Sequence, residues 1–200
     1  MKQEKDNVNS QQAAHYLTFN TIDWVDVFVR PAYKQIIATT LNEFIAAKRL
    51  IVYSWCLMSN HLHMMVQAKD GVGLSLIERD FKKMTTSRIL ETIDLETDLR
   101  RSWMLSRFEQ GSHDLKRIER YQLWQNSSNP VFVDFKEPYS VEEKLMYIHE
   151  NPVRDRIVCH AEDYLFSSAK NYMGKKGLVN VTVIDLEGLI RALLKPNAPK

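Results

Sequence analysis

The stretch from Leu50 to Ala68 (LIVYSWCLM-SN-HLHMMVQA) constrains the fold more than any other part of the chain. Leu50 to Met58 is β-branched and aromatic, and apolar on both faces, the pattern of a central strand. Ser59-Asn60 is a two-residue turn signal, and His61 to Ala68 reads as the return strand of a hairpin. His15 to Asn20 alternates as a further strand.

Helical spacing surrounds these strands. Ile36, Ile37, Leu41, Phe44 and Ile45 predict a helix over 31–48, opened by Pro31 in a tolerant first turn. Ile77, Phe81, Ile89 and Ile93 predict a second helix, with Ser75-x-x-Glu78 as a capping box. Its other face carries Arg79, Lys82, Lys83 and Arg88. Residues 94–110 read as a third helix that ends before Gly111, and Tyr121–Gln125 and Val131–Phe135 as short strands. Ser140-x-x-Glu143 opens another helix, expected to stop near Asn151 because Pro152 disfavours helix in the residue before it. Asp163–Met173 reads as a short helix capped by Gly174, 178–184 as a final strand and 185–194 as a tail helix. The order is that of an α+β domain with helices packed on one face of a mostly antiparallel sheet.

Composition narrows the function classes. With 200 residues, 44% hydrophobic and 26% charged, the chain can bury a core without staples. Two cysteines, Cys56 and Cys159, form no Cys-x-x-Cys pair, and there is no Gly-rich phosphate loop, Gly-x-Ser-x-Gly elbow or Asp-rich calcium loop. No run approaches the roughly 18 apolar residues of a membrane span, and Met1 to Gln12 has no apolar signal region, so a cytoplasmic protein without membrane contact is expected. A formal charge of +2 excludes a grip on phosphates through bulk charge alone and leaves room for a local basic groove.

His61 and His63 share a strand face with Met65 and Gln67, whereas Leu62, Met64 and Val66 point to the other. Two imidazoles at that spacing fit one cation, or are two surface histidines at a strand start; the spacing alone leaves both readings open. In the helix after Ser140, Val141, Leu145 and Ile148 form the core stripe. Tyr147 and Asn151 are i, i+4 neighbours on its flank, while His149 lies roughly 160° around the helix from Tyr147 and is a poor third ligand. The phenol and the carboxamide make either a usable pair or a half-buried tyrosine and a helix-stop residue.

Together these residues resemble a known family. Met58-Ser-Asn-His-Leu-His-Met-Met-Val66 is similar to the His-hydrophobic-His motif of single-tyrosine HUH transposases, and Tyr147-Ile-His-Glu-Asn-Pro-Val153 to their tyrosine motif. The Asn-Pro-Val continuation, Tyr121-Gln-Leu-Trp-Gln125 and Asp163-Tyr-Leu-Phe-Ser-Ser-Ala169 resemble blocks of the REP-associated tyrosine transposase branch. The similarity runs from about His15 to Tyr172. It implies a ferredoxin-like domain over 14–174, before an extension at 175–200, while the polar residues 1–13 read on their own as a disordered arm. It implies His61, His63 and Asn151 as ligands of Mg2+ or Mn2+, and Tyr147 as the nucleophile that cleaves single-stranded or hairpin DNA and forms a 5′-phosphotyrosine.

A homodimer is the expected assembly, since one tyrosine handles one strand. Arg79, Lys82, Lys83, Arg88, Arg117 and Arg120, with Trp124 for base stacking, are the expected DNA contacts. Trp103 is a further stacking aromatic, and the alternative for the basic set is a solvated face interleaved with Glu78, Asp80, Glu109 and Asp114. Residues 94–120 exceed what compact relatives carry, and Asn151 stands where the broader group has Gln. Two rival functions fit the same residues: a domesticated DNA-binding relative without turnover, and a metal-dependent hydrolase in which Tyr147 is only structural.

Overall fold

The computed structural model describes residues 13–47, 49–69, 71–95, 99–112 and 121–194. Strands β1 (Ala14–Asn20), β2 (Leu50–Leu57), β3 (His61–Ala68) and β4 (Val131–Val133) form one antiparallel sheet in the order β2-β3-β1-β4. The helices are α1 (Pro31–Ala46), α2 (Leu74–Leu95), α3 (Arg101–Ser112), α4 (Pro138–Arg154), α5 (Ala169–Tyr172) and α6 (Leu186–Leu194). The α+β, ferredoxin-like order is therefore present.

Strand alternation sorts the two faces. Leu17 and Phe19 of β1 and Met64 and Val66 of β3 meet Leu41 of α1 and Leu74, Ile77 and Phe81 of α2 in one apolar layer. This is the expected helix-covered face. The other face carries Tyr16, Thr18, His61 and His63, and α4 lies against it with the Tyr147 ring beside those of His63 and Tyr16. Helices thus cover both faces, with the site on the side of α4.

The hairpin folds as its pattern predicts, but β2 is an edge strand and not a central one. Its outer edge is covered by chain from beyond α4: Leu57 N donates to Phe166 O (2.9 Å), Ser168 N to Trp55 O (2.9 Å) and Thr182 N to Val52 O (2.8 Å). Apolar character on both faces reports burial of those faces, by α1 on one side and α4 on the other, and does not report position within the sheet. The chain covering the outer edge removes the hazard of an open sheet edge.

The same pairing explains two departures. Asp163–Met173 is not one helix, because 164–168, between a tight turn at Ala161–Asp163 and α5, turns against β2 and bonds to it through Phe166 O and Ser168 N, with Ser167 bridging Cys56. Residues 178–184 form no strand and are held by the Thr182 bond and by Asn42, whose Nδ2 donates to Leu178 O (2.8 Å). Tyr121–Gln125 contributes only the isolated bridge between Thr21 and Trp124.

Helix ends also differ from the capping signals. α2 begins at Leu74, so Ser75 lies inside its first turn. α3 continues through Gly111. α4 is opened by Pro138 in its first turn, not by Ser140, whose Oγ accepts from Lys144 Nζ (2.7 Å). It runs past Asn151 to Arg154 with Pro152 inside. In the last turn a proline forfeits a single helical bond, and burial of Ile148 and Pro152 outweighs that loss.

α4 is pinned from its buried side. His149 Nε2 hydrogen-bonds Ser168 Oγ (2.8 Å), and Ser168 Oγ also accepts from Trp55 N (2.9 Å). Burial lowers the His149 pKa from 6.5 to about 4. A histidine whose folded pKa lies below its unfolded value adds stability above the unfolded pKa and loses it as pH falls. The unfolding free energy should therefore drop as pH is lowered from about 6.5 to about 4, and denaturant titrations of His149→Gln should show a shallower drop. An equal slope in the variant would place the proton uptake elsewhere.

Candidate functional site

Antiparallel register builds the site. β1 and β3 pair with Thr18 opposite His63 and Asn20 opposite His61, so these side chains share one face. His63 is buried, and its Nδ1 lies 2.8 Å from Tyr16 Oη and 2.9 Å from Thr18 Oγ1. His61 Nδ1 donates to Asn60 Oδ1 (2.7 Å). The amide orientation is fixed by Asn60 Nδ2, which donates to Trp24 O (3.3 Å). The Nδ1 atoms of both imidazoles are therefore engaged, and Nε2 is the nitrogen each offers to a cation.

The rings form a row along β3. His61 and His63 centroids are 4.7 Å apart, and Tyr147 stands 5.4 Å from His63. Arg154, two turns along α4, holds its guanidinium carbon 4.9 Å from the Tyr147 ring centroid. Tyr147 is 42% exposed, so the side chain lies at the surface and not in the core. At the far end of the row, Trp24 meets His61 edge-on at 6.4 Å.

Burial lowers the pKa of both histidines, and that of His63 falls to about 3, helped by the neighbouring His61. Asp155 partly offsets the effect at His61. Two neutral imidazoles side by side are the form that binds metal.

The donor set fits a divalent cation. Among the described residues no group of three His, Cys, Asp or Glu side chains converges, and two amide side chains are candidates to add oxygen to the histidine pair. Asn151 Nδ2 donates to Tyr147 O (2.6 Å), which leaves Oδ1 as the available atom. Asn20 Oδ1 is buried, has no hydrogen-bond partner among the described residues, and lies on the face of His61. Imidazole suits several transition metals, zinc among them, and amide oxygen suits magnesium or manganese, so the donors fit a divalent cation without selecting one.

The expected DNA contacts fare differently. α2 lies across the sheet from the histidines, so Arg79, Lys82, Lys83 and Arg88 do not border the site. Lys82 Nζ donates to the carbonyl oxygens of Gln125 (2.9 Å) and Asn126 (3.2 Å), and Arg88 pairs with Glu43 (2.7 Å). Both are engaged in packing. Arg79 pairs with Asp80, and Lys83 is exposed. Trp124 cannot stack on a base: it is 2% exposed, stacked on Phe28 and bonded through Nε1 to Thr85 Oγ1 (2.9 Å). Its apolar neighbours capture it for the core. Arg117 and Arg120 lie outside the described residues. Sequence reading did not single out Tyr16, Thr18, Trp24, Asn60 or Arg154. Only the alternation of Tyr16 and Thr18 opposite a His-x-His strand could have pointed to any of them.

Comparison with known proteins adds three findings. Residues 11–126, more than half of the 200, match the family described as IS200-like transposase, a span that holds the histidines and stops before Tyr147. The fold is similar to a REP-associated tyrosine transposase solved bound to a REP hairpin (TM-score 0.58, 16% identity, covering 88% of this chain and 91% of that one). A protein from Deinococcus radiodurans R1, assigned as a transposase, aligns with a TM-score of 0.40 at 13% identity, over 68% of this chain and 90% of that one. No curated protein matches. No helix among the described residues is long and apolar enough to cross a membrane.

The Asn60 bond predicts one tautomer. At pH 7, long-range 1H–15N spectra should show His61 protonated on Nδ1, and Asn60→Ala should release it to a mixture. An Nε2–H signal for His61 in the parent protein would contradict the geometry.

Proposed function

This chain belongs to the IS200-like transposase family, and on that premise we propose that it cleaves and rejoins single-stranded or hairpin DNA through a tyrosyl intermediate on Tyr147. The observation that supports this most is the Tyr147 ring 5.4 Å from His63 within one chain, so nucleophile and histidine pair adjoin without a second copy. His61, His63 and Asn151 would hold Mg2+ or Mn2+, with Asn20 Oδ1 as a further oxygen. When bound by these residues, such a cation would supply polarisation of the scissile phosphate and compensation of its developing charge.

The remaining chemistry belongs to the chain. Tyr147 Oη bonds to phosphorus and gives up its proton to solvent, the P–O3′ bond breaks, and the 3′-oxygen leaves as a hydroxyl after taking a proton. The tyrosyl ester keeps the phosphodiester energy, so a 3′-hydroxyl can reverse the step without ATP. Arg154 holds a permanent positive charge beside the ring, within reach of the phosphate oxygens. A homodimer serving two DNA ends fits this reading, with each chain using its own tyrosine and histidines.

Incubation with labelled hairpin oligonucleotides carrying single-stranded flanks and Mn2+ should give a covalent adduct on denaturing gels that is lost in Tyr147→Phe. Hairpin binding without adduct would favour a silent DNA-binding relative, and absence of DNA binding would favour a non-DNA hydrolase. Arg154→Gln should slow adduct formation by about tenfold or more while leaving Tm unchanged, because the guanidinium is exposed and the lost interaction is with transferring charge. An unaltered rate would remove Arg154 from the reaction.

A further inference from the structure

We propose that Trp24 is a stacking platform for a nucleobase of the bound single strand, the base attached to the leaving 3′-oxygen. The inference rests on the DNA-cleavage reading above and adds to it a binding residue and the strand side that it holds.

Of the four tryptophans, Trp55 and Trp124 are buried, whereas Trp24 is 55% exposed at the end of the histidine row. The backbone is bent to present it. Asp23 (φ 49°) and Trp24 (φ 55°) are both left-handed, a conformation that side-chain-bearing residues rarely adopt in succession. Such a turn persists only where its surroundings hold it, and here they do so from two sides.

From the hairpin, Thr21 N donates to Asn60 O (2.9 Å), the single Thr21 hydroxyl proton lies between Val25 O (2.9 Å) and Asn60 O (3.0 Å), and Asn60 Nδ2 donates to Trp24 O. The amide that orients His61 therefore also fixes the Trp24 loop. From the other side, α3 props the loop. Arg107 pairs with Asp23 (3.6 Å), Arg100, just before α3, donates to Asp26 O (3.0 Å), and a Cβ on Gly111 would meet Ile22 Cγ2 at 2.8 Å, so a larger residue there would displace the Ile22 side chain. This assigns a purpose to α3, in the stretch that exceeds compact relatives: it holds Trp24 in place.

The strand side follows from reaction geometry. In phosphoryl transfer the attacking and leaving oxygens take opposite sides of phosphorus. The row runs Tyr147, His63, His61, Trp24 along β3. With Tyr147 attacking from one end, the leaving 3′-oxygen and its nucleoside extend toward the other, where the indole face is open for stacking.

The test uses the full chain with Tyr147→Phe, which blocks cleavage, in Mg2+. Tryptophan emission and affinity are followed while a thymidine single strand of about 16 nucleotides is added. Trp24→Ala should abolish most of the quenching and weaken binding by about tenfold or more, with Trp24→Phe recovering most of the affinity. Circular dichroism and Tm establish that the variants are folded.

Equal affinity of Trp24→Ala and its parent overturns the platform while leaving the cleavage reading standing. A parent that binds neither the thymidine strand nor hairpin DNA overturns both. For an oligonucleotide that the wild-type protein cuts, an abasic site on the 3′-hydroxyl side of the scar should erase the Trp24 contribution, and one on the phosphotyrosine side should not. The reverse pattern overturns the assigned side.

Discussion

The antiparallel register of β1 against β3 sets everything else. Because side chains alternate, one register sends Leu17, Phe19, Leu62, Met64 and Val66 to the helix-covered core and Tyr16, Thr18, His61 and His63 to the opposite face. A slip by one residue would exchange the two sets. Each large apolar side chain buried gains about 1.5–3 kcal/mol, against about 0.5–1.5 kcal/mol for a neutral hydrogen bond. The core therefore enforces the register, and the Tyr16–Thr18–His63 contacts are a consequence that costs the fold little to hold.

α4 depends on that sheet in turn. Its apolar stripe of Val141, Leu145 and Ile148 is buried, and His149 is tied to Ser168 on the covered edge of β2. With the buried stripe fixed, helical geometry leaves Tyr147 at the seam between helix and sheet, near His63 yet open to solvent. The extension past Pro152 matters here. It carries Arg154 to the position two turns from Tyr147 where its guanidinium lies over the ring. Had the helix stopped at Asn151, that stacking geometry would not follow.

Much of this was legible from residue patterns. The hairpin, β1, the shared strand face of His61 and His63, α1, α2 and the i, i+4 relation of Tyr147 to Asn151 follow from periods of 2 and 3.6, which are local properties of the backbone. The departures share a cause. Ser75 and Ser140 look like caps, yet neighbouring residues start their helices earlier. Pro152 looks like a stop, yet burial carries the helix through it. Residues 164–168 look helical, yet the open edge of β2 claims their hydrogen bonds. Each is a local preference of about 1 kcal/mol, or a few for a proline, overridden by tertiary contacts.

The sequence by itself determined which residues could do chemistry here: two imidazoles on one strand face, and a phenol and an amide on one helix flank. It could not decide which charged and aromatic residues attend them. Trp124 and Trp24 are both tryptophans beside polar stretches, but one fills the core beside Phe28 and the other is held out next to His61. Arg154 reaches the site, whereas Lys82 and Arg88 are occupied on the far side of the sheet. Those assignments depend on which elements pack against which face, a relation between residues far apart in the chain, and only the tertiary structure supplies it.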